Sequence, residues 1–128
     1  MQRLDGSVRR KRSSVRTPEA RSLAVRWGAM RVIADLCVVP IGVGVSVSSY
    51  IAACQRVLAE AGLEIRLHAY GTNIEGEWDE VFAAIKRSHE VVHEMGAPRI
   101  HTNIKCGTRV DREQTMREKV ESVTRKLT

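Results

Sequence analysis

The residues from Tyr70 to Val81, YGTNIEGEWDEV, constrain the chain more than any other stretch, because a turn, a short strand and a helix start follow one another with no room for a linker. Gly71 is expected to supply a positive φ at a tight turn, Thr72 to Glu75 alternate with the two-residue period of a strand, and Gly76 is expected to break that strand before an acidic helix start. The alternation sets Asn73 and Glu75 on one face and Thr72 and Ile74 on the other, so a polar pair looks away from the core. A carboxylate held beside two turns has the geometry of a small polar ligand site. The plainer reading is a hairpin that runs into a capped helix, with Glu75 solvated.

On either side of this stretch the hydrophobic period switches between strand and helix. Leu63 to Tyr70 alternates Leu63, Ile65, Leu67 and Ala69 against polar residues, which predicts a second strand with one buried face, paired to Thr72–Glu75 as a hairpin. Arg31 to Val39 predicts a first strand ended by Pro40, apolar on both faces and so buried on both sides or set against another subunit. Ser46 to Ser49 offers N-cap residues for a helix from about Ser49, whose apolar side is Ile51, Cys54, Val57, Leu58 and Ala61 and whose C-cap is Gly62.

A second helix is predicted from Trp78 to Met95, stopped by Gly96-Ala97-Pro98, and a fourth strand from Arg99 to Cys106, ended by Gly107. The last helix, from about Arg112 to Lys126, carries Met116, Val120, Val123 and Leu127 in a narrow stripe suited to docking on a neighbour. The order is α+β, a ferredoxin-like βαββαβ sandwich with an additional C-terminal helix. Two helices on one face of the sheet leave the other bare, and the apolar groups Ile33, Cys37 and Val39 imply that it buries against a partner subunit.

Charge divides the chain in two. Residues 1–26 hold eight Lys or Arg against two acidic residues, whereas from Trp27 onward thirteen basic residues face thirteen acidic ones. The net charge of +6 therefore belongs to an Arg- and Ser-rich N-terminal extension, residues 1–29, expected to be disordered, with Met30 opening the domain of residues 30–128. A neutral domain with one Phe, two Tyr and two Trp presents neither the field nor the stacking surfaces for specific nucleic-acid binding. Cys37, Cys54 and Cys106 are odd in number and set in apolar patterns, which fits reduced thiols and a cytoplasmic location. No apolar window is long enough for a membrane span.

Catalytic signatures are weak. His89-Glu90-Val91-Val92-His93 matches the spacing of zinc hydrolases, but His89 falls on the apolar stripe with Phe82, Ile85 and Val92, so a packed histidine explains it better. Gly42-Val43-Gly44 lacks the rest of a phosphate loop, and no nucleophile is paired with a base by position. Neither a metal site nor an enzyme is expected.

Five segments taken in order resemble one family. Val38-Val39-Pro40-Ile41-Gly42, Ser46-Val47-Ser48-Ser49-Tyr50-Ile51, Gly71 to Gly76 with Asp79-Glu80-Val81-Phe82, Thr102-Asn103-Ile104-Lys105, and Lys119 to Val123 are similar to the thiamine-binding protein family of small bacterial, archaeal and fungal proteins. The resemblance spans about Met30 to Leu127. It departs at Gly107-Thr108, where acidic residues are usual, and at Asn73 and Asn103, where threonine or an apolar residue is usual.

The resemblance implies a non-enzymatic ferredoxin-like protomer assembled as a dimer of dimers, a homotetramer that needs no cofactor and binds thiamine or its hydroxymethylpyrimidine moiety near subunit interfaces. An aminopyrimidine presents ring-nitrogen acceptors and an amino donor, which a carboxylate, hydroxyls and amides can read, and the cationic thiazolium favours a nearby Glu. On this reading Glu75 acts with Thr72, Asn73, Ser48 and Asn103, with Ser46 and Gly76 beside them and Trp78 or Tyr70 over a ring face. The alternative is a structural or interaction module with no small-molecule ligand.

Overall fold

The computed structural model describes residues 30–128; the extension over residues 1–29 lies outside the described residues. Four strands and three helices follow in the expected order: β1 (Arg31–Ile41), α1 (Ser48–Glu60), β2 (Glu64–His68), β3 (Gly71–Glu77), α2 (Trp78–Glu94), β4 (Arg99–Thr108) and α3 (Met116–Thr124), with a 3-10 turn over Arg125–Leu127. The sheet is antiparallel throughout, in the order β2-β3-β1-β4, which is the ferredoxin-like arrangement.

The core lies between the sheet and α1 and α2. Val32, Ala34, Leu36 and Val38 alternate inward from β1 and meet Cys54 and Leu58 of α1 and Val81, Ile85 and Val92 of α2. Leu58, Ile74, Val81 and Val92 have no measurable exposure, so each contributes the roughly 1.5–3 kcal/mol of a fully buried aliphatic side chain. Cys54 is packed among them, and burial raises the pKa of its thiol, with the neighbouring Ser88 acting the other way.

Several boundaries move, each for a local reason. β1 does not end at Pro40. It runs on to Ile41, because among the described residues Pro40 pairs only with Ile100 of β4, while beyond Leu36 the β3 side of the strand has no partner there and an N–H is dispensable. Gly71 does not have positive φ; among the described residues the glycines that do are Gly42, Gly44, Gly62 and Gly96. What Gly71 supplies is a missing Cβ, which would stand 2.6 Å from the Leu36 carbonyl oxygen. Gly76 remains inside β3 because a Cβ there would meet Leu63 Cδ2 at 2.6 Å, so the strand passes close under that side chain.

Gly107 likewise lies within β4, and β2 is an edge strand whose Leu67 is 63% exposed instead of buried. The N-cap of α1 is Val47, with no side-chain cap, so the serines of that run start the helix without capping it. α2 is capped by Glu77, which accepts from the Glu80 N–H at 3.1 Å.

The last helix begins four residues later than the spacing predicts. Thr115 and Glu118 form a capping box, and the loop ahead of it is closed by the Arg109 guanidinium gripping Asp111 through Nε at 2.6 Å and Nη2 at 2.8 Å. That grip lowers the Asp111 carboxyl to about 2. Because the folded value is the depressed one, the contribution is fully present above the ordinary carboxylate value of about 3.9 and is lost only as pH falls through about 2. α3 then sits on the face of the sheet opposite α1 and α2. Its first residue, Met116, is buried there, while Val120, Val123 and Leu127 are 58%, 60% and 79% exposed.

Candidate functional site

The unequal lengths of the strands make a cavity. β3 follows β1 only as far as the Leu36–Thr72 pair, and β1 continues for five more residues with β4 as its sole partner among the described residues. The gap left on the β3 side is closed at one end by the hairpin tip Ala69–Gly71 and roofed by α1 through Val47, Ile51 and Leu58. Its volume is ≈ 210 Å³. That is below the roughly 300–1,000 Å³ of sites for drug-sized ligands and suits a single ring with a substituent that extends outward.

The walls are mainly aliphatic, with two polar clusters. In the first, Gln55 Nε2 of α1 donates to Thr72 Oγ1 of β3 at 2.7 Å, and Thr72 is 4% exposed. In the second, His68 at the end of β2 joins Asp35 of β1, Nε2 to Oδ1, at 2.6 Å, and its Nδ1 accepts from the Tyr70 N–H at 3.3 Å. An Nδ1 that accepts carries no proton, so Nε2 is the protonated nitrogen and donates to Asp35. The imidazole thereby ties the hairpin tip to β1 at the mouth of the cavity, with Tyr70 itself 86% exposed beside it.

Of the residues singled out from sequence for the ligand, Thr72 and Tyr70 line this cavity. Ser46 and Ser48 flank the lining residue Val47 and are exposed at the start of α1. Gly76 and Trp78 are at the far end of β3, where the Trp78 ring meets Phe82 at a tilt with ring centroids 4.6 Å apart and its backbone N–H donates to the Met30 carbonyl. Asn73, Glu75 and Asn103 are on the opposite face of the sheet, in register with Asp35, Ile33 and Cys37 of β1. Glu75 is 8% exposed there and its Oε2 accepts from the Met116 N–H at 2.7 Å, so it caps α3.

Two residues escaped the sequence reading. Gln55 stands one turn after Ile51 and three residues before Leu58, and a polar residue interrupting an apolar stripe was the available signal. His68 gave none, since its partner Asp35 is 33 residues away.

The His89–His93 pair is engaged elsewhere. His89 Nε2 meets Thr102 Oγ1 at 2.7 Å, His93 Nδ1 donates to the Ala97 carbonyl at 2.7 Å, and the rings are 6.5 Å apart between centroids. Among the described residues no group of three or more His, Cys, Asp or Glu is placed to hold a metal ion, and no helix is long and apolar enough to cross a membrane.

The family described as thiamine-binding protein matches residues 34–124. UPF0045 protein sll0230 of Synechocystis is 70% identical over 98 residues, covering 77% of this chain and 81% of that protein. UPF0045 protein YqgV of Bacillus subtilis is 39% identical over 100 residues, 74% of this chain and 96% of its own length. Among solved structures, the hypothetical protein MJ1052 of Methanocaldococcus jannaschii superposes with a TM-score of 0.69 at 31% identity, over 73% of this chain and 96% of that one. A Thermotoga maritima protein described as a candidate for thiamine biosynthesis or salvage has a TM-score of 0.63 at 19% identity, over 73% and 98%, a likeness of fold.

Proposed function

We propose that this chain, which belongs to the thiamine-binding protein family, is a non-enzymatic binder of thiamine or its hydroxymethylpyrimidine moiety. The observation that carries the reading is the ring-sized cavity between α1 and the end of β1 beyond Leu36, mainly apolar, with the Gln55–Thr72 pair in its wall and His68, held by Asp35, at its mouth. Aliphatic walls suit the faces of a pyrimidine, and a few fixed polar groups suit its edge. Titration calorimetry with thiamine, its phosphates and the free hydroxymethylpyrimidine is expected to give binding at about micromolar strength or tighter for at least one of them. Absence of heat with all of them would leave the interaction module as the better reading.

The site belongs, on this proposal, to a homo-oligomer, a dimer of dimers. Support comes from the exposed Val120 and Val123 on α3 with Leu127 in the turn after it, and from the apolar Val39 and Ile41, 38% and 41% exposed, on the same side of the sheet. Light scattering is expected to give at least twice the protomer mass of 14.3 kDa, and a single species at the protomer mass would sink the assembly.

A further inference from the structure

The geometry points to Gln55 as the residue that reads the amino-bearing edge of the pyrimidine, with Thr72 as the positioning residue that holds its carboxamide. The assignment rests on the thiamine reading above and deepens it. A glutamine amide nitrogen has two N–H groups, of which one is spent on Thr72 Oγ1 at 2.7 Å. The second N–H and Oε1 remain, a donor and an acceptor side by side on a side chain that lines the cavity. A ring nitrogen next to an exocyclic amino group is the complementary pattern, the one a glutamine reads on adenine through two parallel hydrogen bonds.

The side chains nearest Gln55 in the wall, Leu36, Ile51, Cys54 and Leu58, offer no comparable donor–acceptor pair. Thr72 is buried and fixed in β3 by pairing with Leu36 on one side and Leu67 on the other, so its hydroxyl is a rigid post for the flexible glutamine. A site built to pair with an amino group discriminates strongly against an analogue that lacks it, because the protein acceptor is then left unpaired.

The test is a cycle between side chain and ligand, read by calorimetry on the full chain. Wild type is expected to prefer thiamine over its analogue lacking the pyrimidine amino group by about tenfold or more. Gln55→Met should weaken thiamine by about tenfold or more and bring the two ligands to nearly equal affinity. Gln55→Glu, which accepts from the amino group but cannot donate to the ring nitrogen, should lose affinity and keep the preference. For Thr72, the loss in Thr72→Val should be largely restored in Thr72→Ser, a rescue that simple filling of space would not give. A wild type that binds neither ligand removes the thiamine reading and this assignment with it. A wild type that binds, with the same amino preference in Gln55→Met, overturns the assignment alone.

Discussion

Replacing Glu75 by alanine is expected to cost about 2–3 kcal/mol, the range for losing a charge-assisted hydrogen bond to a donor that stays buried. For a domain of this size that is on the order of 10 °C in Tm. The reason is the position of the bond. Glu75 Oε2 accepts from the backbone N–H of Met116 at 2.7 Å, the first residue of α3, and both residues are buried. A negative charge at the first turn also complements the dipole of the helix it caps. Without the carboxylate, the first turn of α3 loses its attachment to the sheet, and the apolar stripe that α3 carries loses its fixed orientation. In the assembly proposed above, oligomer mass in light scattering should therefore fall along with Tm.

Glu75→Gln keeps an acceptor for the Met116 N–H and is expected to recover most of the stability. In the folded protein neither variant should change thiamine affinity much, because Glu75 does not line the cavity and its side chain is engaged with Met116. A tenfold loss of affinity in Glu75→Gln with Tm unchanged would reverse this picture and put the ligand on the outer face. Glu77→Gln provides the comparison, since Glu77 caps α2 by accepting from the Glu80 N–H and should lose about 1 kcal/mol or less.

What could be read in advance follows from what kind of interaction decides each feature. The alternation of Val32, Ala34, Leu36 and Val38 is local and periodic, so β1 and its buried face were legible, and with them the βαββαβ order. Gly62 and Gly96, at the ends of α1 and α2, adopt the positive φ that their position after a helix predicts. Gly71 could not be read that way, because its role is set by a carbonyl 35 residues earlier in the chain. The same holds for Glu75, whose partner is Met116, 41 residues on. Sequence alternation placed Glu75 on the polar side of β3 correctly, but whether that side meets solvent, ligand or a helix end is a tertiary fact. The cavity is a further case. It arises from the mismatch between the lengths of β1 and β3, and that mismatch depended on Pro40 continuing a strand that it was expected to end.

Gly71→Ala is expected to destabilise by about 3 kcal/mol, at the upper part of the range for forcing atoms into a packed region. An added Cβ would stand 2.6 Å from the Leu36 carbonyl oxygen, closer than such atoms approach. That oxygen cannot retreat easily, because Leu36 is paired with Thr72 on one side and Ile104 on the other. The same Cβ would also crowd Asp35 Oδ1 at 3.2 Å and His68 Cε1 at 3.3 Å, the two groups that tie the hairpin tip to β1. Relief by moving the hairpin outward therefore stretches the His68–Asp35 hydrogen bond and widens the cavity mouth, so the folded fraction should also bind thiamine more weakly. Gly107→Ala supplies the control within the same sheet. No atom lies within 4 Å of a Cβ at Gly107, so the substitution should change stability by about 0.5 kcal/mol or less and leave binding alone. Thermal melts and calorimetry on the two variants check both effects. Equal stability of Gly71→Ala and Gly107→Ala would show that β3 does not approach β1 as closely at the hairpin as the structure has it, and weaker binding in Gly107→Ala would move the site away from the hairpin tip.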